Sequence, residues 1–562
     1  MNEVQYSLPA SGIAKRLLKG GGVAEERVRV EASRRPGWAF PFARVWSLRL
    51  ASLLPVVALF ALFLVTGSRG INLGYHWDEQ DWHITPVRTM VQTGILLPKS
   101  YIYPSLDKWL VMIPAAVRGA RAAIASDGDP AAVQAAMLNM FDTGNYLLRV
   151  REVFLFVSAL AIFWTYGAAI ALRYRRWEAF VAACGIGLSW EYAYHSRWAV
   201  TDCILVQFTA LTMFMLALFH RTGKSHWLHA AAFAAGLGMG TKYPGVILLF
   251  WVLVAGALTL PLTAYVEQLK RAVTLGVIAS VVYLFTTPGT VLEPIVFITD
   301  TRMISNYYAH NHHAGHTTTG SWNHALVVLE YYGFSLFSSY EWLAVPMFGA
   351  TLAGAVLWVK KDRRFSTFLV GFPILFLFMF CAKYRVMICR NYLFLFPCFA
   401  ILMARTVGDI ARWLPKPSLR WLYGAGLVAV FCLQAAFLIK AAESIRHYDQ
   451  DRYVRESVDY MTKHADTKFR VSKKVRQSVQ AQHLTLPKNV VGDRAPFNQV
   501  LFWAIAEGPG SWNFQTNDQW LTKAIFGPLE ISFNWYAGWM GQDRLVVMTL
   551  EKARNTGVAL AR

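Results

Sequence analysis

Charge is scarce in this sequence. Asp, Glu, Lys and Arg make up 16% of its 562 residues, where a soluble domain carries about 25%. Acids are the rarer sign, 34 against 55 Lys and Arg. Cysteine is rarer still, with six in all: Cys184, Cys203, Cys381, Cys398 and Cys432 lie in or beside apolar runs, and Cys389 sits in a short polar link. No disulfide framework is expected from that scatter; Cys381 and Cys389 could pair in an oxidising compartment, but buried free thiols are the simpler reading. No cleavable leader is expected either. The basic stretch from Lys15 to Arg49 precedes an apolar segment too long for a signal-peptide core and without a small-residue cleavage pattern, so it reads as a retained first span. No internal repeat suggests the inverted halves of a transporter. The net charge of +21 would suit nucleic acid, yet no basic helix or aromatic-studded module accompanies it. No nucleic-acid partner is expected, because cations at the cytoplasmic ends of membrane helices explain the charge.

What the chain has in excess is apolar surface: 55% hydrophobic residues, with 36 Phe, 24 Tyr and 21 Trp. A bilayer is the solvent that accommodates this, and a spanning helix needs roughly 20 mostly apolar residues. Such runs predict eleven spans, near 49–68, 151–172, 177–193, 200–219, 227–240, 244–262, 271–287, 341–359, 365–382, 391–408 and 420–440. With the N-terminus inside, the short cytoplasmic links collect most of the cations, as in Arg173, Arg175 and Arg176 or Lys360, Lys361, Arg363 and Arg364, while the opposite links hold only Arg197, Lys242, Lys383, Arg385 and Arg390. The expected fold class is therefore an all-α polytopic membrane protein of about eleven transmembrane helices with outer-face interfacial helices, plus a small mixed α/β C-terminal extracytoplasmic domain. The expected division is a cytoplasmic segment at 1–48, a membrane domain at 49–440 and a periplasmic domain at 441–562, in a bacterial inner membrane.

Three longer pieces then lie outside, at 69–150, 288–340 and 441–562. Leu106, Trp109, Leu110, Ile113 and Val117 repeat at helical spacing, which predicts a helix in the interface with that side in lipid. A second helix is predicted to start at Asp129-Pro130, where the carboxylate can cap and the proline can take the first turn. Arg544 to Met548 predicts a strand.

Ionisable residues at the outer face are the candidates for chemistry. His76-Trp77-Asp78-Glu79 sets two adjacent carboxylates just after the first span; one can take up a proton while its neighbour orients a partner or a metal, or both can be solvated loop surface. Lys108 follows Tyr103-Pro104-Ser105-Leu106-Asp107 and can meet a lipid phosphate or simply snorkel to headgroups. Arg197 and Asp202 flank the start of a span; a carboxylate entering an apolar run is costly unless paired or functional. Gly236, Gly238 and Gly240 permit close helix packing before Thr241-Lys242-Tyr243-Pro244, where Lys242 is a phosphate candidate with snorkelling as its rival; the spacing is not that of a P-loop. His310, His312, His313 and His316 could bind a metal, but lack carboxylate or thiol neighbours at fixed spacing and read better as loop contacts to substrate or water. Before the tenth span, Arg390-Asn391-Tyr392 offers a planar fork suited to phosphate oxygens, with interfacial anchoring as the alternative.

Taken together, these motifs resemble the C-type membrane glycosyltransferases, specifically the protein O-mannosyltransferases and the lipid A aminoarabinose transferase of bacteria. The resemblance runs over about 49–440. His76-Trp77-Asp78-Glu79 stands where the family has an acidic motif after span one. Tyr103-Pro104-Ser105-Leu106 is similar to its Pro-Pro-Leu motif, with Ser105 for the second proline and Tyr103 for a His or Lys. Arg197 with Asp202 looks like the second acidic site and Gly240-Thr241-Lys242 like the Thr-Lys turn. Arg390-Asn391-Tyr392-Leu393 to Pro397 is similar to an Arg-Tyr-Leu-x-x-x-x-Pro element, with Asn391 as the departure. The resemblance implies inverting transfer of a sugar from a polyprenyl-phosphate donor to a hydroxyl or phosphate of a lipid, glycan or protein acceptor at the periplasmic face, with no certain cofactor and a divalent metal as a possibility. On that reading Asp78 is the general base, Glu79 orients acceptor or sugar, and Asp202 positions Arg197 or Lys108 or helps to hold the acceptor. Lys108, Arg197, Lys242 and Arg390 meet the leaving phosphate, and Tyr103, Tyr392 and His313 contact substrate. The alternative is a transporter or flippase of a lipid-linked sugar, with the same charges lining a pathway.

Overall fold

A computed structural model of the chain describes residues 53–74, 76, 78–261, 263–310, 317–319, 321–362, 365, 367–492, 495–503, 521–527 and 543–549. In chain order its longer helices are α1 (Leu54–Arg69), α2 (Thr85–Thr93), α3 (Leu106–Ala125), α4 (Pro130–Phe141), α5 (Tyr146–Ala171), α6 (Arg176–Gly187), α7 (Thr201–Thr222), α8 (Ser225–Thr241), α9 (Val246–Leu258) and α10 (Tyr265–Thr286). They continue as α11 (Pro294–His310), α12 (Ser321–Phe334), α13 (Glu341–Lys361), α14 (Phe372–Lys383), α15 (Phe396–Trp413), α16 (Pro417–Arg446), α17 (Gln450–Lys463) and α18 (Lys473–Ala481). Every apolar run expected to be a span overlaps a helix. Among the described residues, six helices are long and apolar enough to cross a bilayer: α5, α7, α10, α13, α16, and α15 together with the 3-10 turn that leads into it. Tyr243–Leu258, Phe368–Lys383 and α1 are apolar but shorter.

Packing of these helices depends on small residues, because lipid chains are as apolar as leucine and give no hydrophobic drive between helices. The glycines of α8 pack as their spacing predicts: a Cβ on Gly236 would lie 2.6 Å from the Ala279 carbonyl oxygen of α10, and one on Gly240 would collide with Thr286. Ala231, Ala232 and Ala235 on the same helix are fully buried. All six cysteines are free thiols, five of them buried and Cys432 exposed.

Helices α3 and α4 lie between α1 and α5 in sequence. Asp129 caps α4, its carboxylate accepting the N–H groups of Ala131 at 3.1 Å and Ala132 at 3.2 Å, with Pro130 in the first turn as predicted. Helix α3 departs in part from its predicted orientation. Ile113 and Val117 are exposed, as expected of a lipid face, but Leu106, Trp109 and Leu110 are half-buried, and Asp107 and Lys108 are buried outright. Val111, Met112 and Ala115 pack into a core with Val87, Met90, Tyr146 and Phe154.

Helix α16 runs to Arg446, a few residues past the expected boundary at 440. Beyond it lies a four-stranded sheet of β1 (Phe469–Val471), β2 (Gln499–Trp503), β3 (Leu521–Phe526) and β4 (Leu545–Thr549), in the order β1-β2-β4-β3. β1 pairs parallel to β2, whereas β4 pairs antiparallel to both β2 and β3, with an irregularity between Thr522 and Ala524. The strand predicted at Arg544 to Met548 is β4, shifted by one residue. Val454, Phe469, Val475, Leu501 and Val547 fill the core between this sheet and α17 and α18.

Candidate active site

Five separate chain segments meet where helices begin or end. The turn after α1 supplies His76 and Asp78, the loop before α3 supplies Tyr103, and the first turn of α7 supplies Asp202. Lys242 sits in extended backbone where α8 stops, one residue before the Tyr243–Gly245 turn whose Pro244 cannot continue the helical ladder. Arg390 and Asn391 lie in the 3-10 turn Cys389–Leu395 that opens α15.

Arg390 is the hub. Its Nη2 donates to Asp78 Oδ2 at 2.5 Å, its Nε lies 3.3 Å from Asp202 Oδ2, and its Nη1 lies 2.7 Å from His76 Nε2. A guanidinium has only hydrogens to offer, so His76 Nε2 accepts and the ring is neutral. Burial first, and then the charge of Arg390, holds the His76 pKa well below its ordinary value. Asp202 turns its other oxygen to Lys242, 2.5 Å from Nζ, and Nζ donates to Asn391 Oδ1 at 2.6 Å. Asn391 Nδ2 reaches the Tyr308 hydroxyl at 3.3 Å, and the Tyr103 hydroxyl donates to Asp78 at 3.3 Å. Two carboxylates and two cations, each less than a tenth exposed, thus form one continuous network. Such a group survives burial only because each charge faces its opposite.

The network closes one end of a pocket of about 220 Å³, whose wall includes Tyr103, Lys242, Tyr308 and Asn391 together with the apolar Ile102, Pro244, Ile304 and Phe380. Polar groups at one end and apolar walls elsewhere suit a ligand with an anionic head and a hydrocarbon tail.

Other predicted residues are placed differently. Glu79 is bound on both oxygens by Arg151, at 2.9 Å from Nε and 2.5 Å from Nη2, and also accepts the Ala199 N–H at 2.7 Å. Arg151 in turn holds the carbonyls of Ile71 and Gly74. Glu79 therefore anchors the turn that presents Asp78 and leaves no oxygen for an acceptor. Lys108 is committed to Asp107 at 2.7 Å, and Asp107 also contacts His83 Nδ1. Burial raises the Asp107 pKa, but Lys108 and His83 outweigh it and hold the carboxyl below its usual value. This second cluster meets the first across the Tyr103 ring, which stacks on His83 with centroids 5.2 Å apart and has the Lys108 and Lys242 ammonium groups each 5.7 Å from its centre. Asp202 positions neither Arg197 nor Lys108. Arg197 points elsewhere, fully buried over the Trp190 ring and donating to the Ala193 carbonyl. Tyr392 is buried among aromatic rings, its hydroxyl 2.5 Å from His324 Nε2. His313 lies outside the described residues.

Sequence reasoning missed Asn391, Tyr308 and Arg151. Asn391 entered it only as a departure from a motif, and uncharged side chains in an aromatic-rich chain stand out only once the fold brings them to a charge. Asp78 and Asp202 are engaged by Arg390, Lys242 and Tyr103, and among the described residues no group of three His, Cys, Asp or Glu is arranged to hold an ion.

The matched family segment begins in α4 and ends in α11. Residues 134–299 fit the family described as dolichyl-phosphate-mannose-protein mannosyltransferase. That stretch includes Arg197, Asp202 and Lys242, and the match bears out the resemblance drawn from the motifs. No curated protein matches the chain. Among solved structures, the chain is similar to ArnT from Cupriavidus metallidurans bound to undecaprenyl phosphate, with a TM-score of 0.43 and 13% identity over 90% of this chain and 98% of that one. The apo form of ArnT gives 0.43 and 11% over the same shares. The archaeal oligosaccharyltransferase AglB from Archaeoglobus fulgidus, in complex with an inhibitory peptide and a dolichol-phosphate, gives 0.42 and 13% over 82% of this chain and 62% of its own.

Proposed function

We propose that this chain is a membrane glycosyltransferase that moves a sugar from a polyprenyl-phosphate donor to an acceptor hydroxyl at the periplasmic face, with inversion. The observation that carries the reading is the convergence of Asp78 and Asp202 on one guanidinium, beside Lys242, at the charged end of an otherwise apolar pocket. The prenyl chain lies along the apolar wall and the phosphate comes to Arg390 and Lys242. Asp78 takes the proton of the acceptor hydroxyl as its oxygen bonds to the anomeric carbon. On the opposite side the bond from that carbon to the phosphate oxygen breaks, and the electron pair leaves on the phosphate. Lys242 and Arg390 face the charge that develops there; fixed cations in a dry site are worth more than the same cations in water. One displacement inverts the anomeric centre. The acceptor is a lipid, a glycan or a protein. In the bilayer, the eleven apolar runs read from the sequence cross with the N-terminus cytoplasmic and the sheet that follows α16 in the periplasm, an orientation supported by the distribution of Lys and Arg in the short links.

A labelled polyprenyl-phosphate sugar tests this directly. Purified full-length protein supplied with donor and envelope acceptors should release free polyprenyl phosphate, and Asp78→Asn should slow release about 100-fold while donor still binds, with melting curves in parallel to separate that loss from the cost of leaving Arg390 without one of its carboxylates. Transport of intact donor without release would establish a transporter instead, and unchanged turnover in Asp78→Asn would remove that residue from the chemistry.

A further inference from the structure

A second and larger groove, of about 1070 Å³, lies among α3, α4 and α5, apart from the pocket at Arg390. Its floor is aliphatic and aromatic: Ile113 and Val117 from α3, and Val153, Phe156 and Val157 from α5. Ile113, Val117 and Phe156 are 40%, 48% and 51% exposed, so the groove is an open apolar channel rather than packed core. It is built into the fold, since α4 crosses α3 so closely that a Cβ on Gly119 would lie 2.7 Å from Met137. Arg118 and Arg121 line it and, three residues apart on α3, share a helix face. Neither has a carboxylate partner among the described residues, whereas Arg149 on the same groove is paired with Glu152 at 2.8 Å. Two uncompensated cations therefore border an apolar groove whose Ile113 and Val117 are exposed on the same helix. Ten residues of helix separate Lys108, at the inner cluster, from Arg118, a span of about 15 Å.

We propose that this groove binds an anionic membrane phospholipid, with its phosphate on Arg118 and Arg121 and one acyl chain along Val117, Val153, Phe156 and Val157. The charge balance at the groove favours an anionic lipid over a zwitterionic or neutral one. The site is distinct from the donor pocket, and occupying it needs none of the residues placed in the chemistry.

The test uses full-length protein in nanodiscs containing a trace of phosphatidylglycerol or phosphatidylcholine with a diazirine at the acyl end, photolysed and mapped by peptide mass spectrometry. Adducts should fall on α3 and α5 around Val117 and Val153 to Val157, with phosphatidylglycerol labelling roughly tenfold above phosphatidylcholine, as two interfacial cations imply. The double variant Arg118→Gln, Arg121→Gln changes two exposed side chains and should remove that preference while melting like the parent protein, and Val153→Trp should block labelling by both lipids. Millimolar inorganic phosphate should not compete. Equal labelling by the two lipids, adducts elsewhere, an undiminished preference in the double variant, or displacement by free phosphate would each overturn the proposal.

Discussion

A buried guanidinium is tolerated when its charge is answered, and Arg390 donates from its two Nη atoms to Asp78 and His76 while its Nε stands 3.3 Å from Asp202 as an ion pair. A planar fork can do that; an ammonium on a flexible stem cannot. Arg390→Lys keeps the charge, yet it should lower kcat/KM for the donor by about 10- to 100-fold, the worth of one or two charge-assisted hydrogen bonds, and steady-state kinetics with melting curves in parallel would check it. His76 supplies a pH dependence. Its folded pKa is depressed, so between that value and the unfolded value of about 6.5 the unfolded chain binds a proton that the folded one refuses. The stability it contributes is complete above that unfolded value and is lost as pH falls through the window. The melting temperature of the parent protein should therefore drop more steeply from pH 7.5 to 5 than that of His76→Gln; parallel slopes would deny the effect. At this scale the charged members of the site were legible, because an ionisable residue is conspicuous beside apolar runs. The pairing of Glu79 could not be read, because its partner, Arg151, stands 72 residues away and nothing local announces it.

Element by element, the sequence pattern was a better guide to where helices lie than to which way they face. Asp129-Pro130 begins α4 because capping chemistry is local, and the apolar runs become helices because a bilayer core leaves backbone groups no other partner. The inward turn of Asp107 and Lys108 on α3 could not be read, since periodicity reports an apolar stripe and not the buried ion pair that outweighs it. The glycines of α8 make the element-scale prediction. Gly236→Ala places a methyl against the Ala279 carbonyl and should destabilise by about 1–3 kcal/mol. Gly276→Ala, on the facing helix α10 with nothing within 4 Å of the added carbon, should be neutral or gain up to about 1 kcal/mol. Thermal unfolding in detergent would measure both, and equal effects would mean that the α8–α10 contact is not close.

For the whole molecule, the distribution of Lys and Arg predicts an orientation that accessibility can check. In a background with Cys432 replaced by Ser, a membrane-impermeant maleimide applied to intact spheroplasts should label Asp127→Cys at once and Lys224→Cys only after lysis; both positions are exposed. The reverse pattern would put the charged network on the cytoplasmic side.

The joining of Asp78 and Asp202 to one arginine has a further consequence. An empty site of this kind holds its own counterions, so an arriving phosphate does not add to unsatisfied cations but exchanges with a carboxylate already seated there. Attraction and eviction largely cancel, which makes donor affinity only weakly sensitive to ionic strength. The evicted oxygen belongs to Asp78 or Asp202, and if it is that of Asp78, the act of docking hands the acceptor its base.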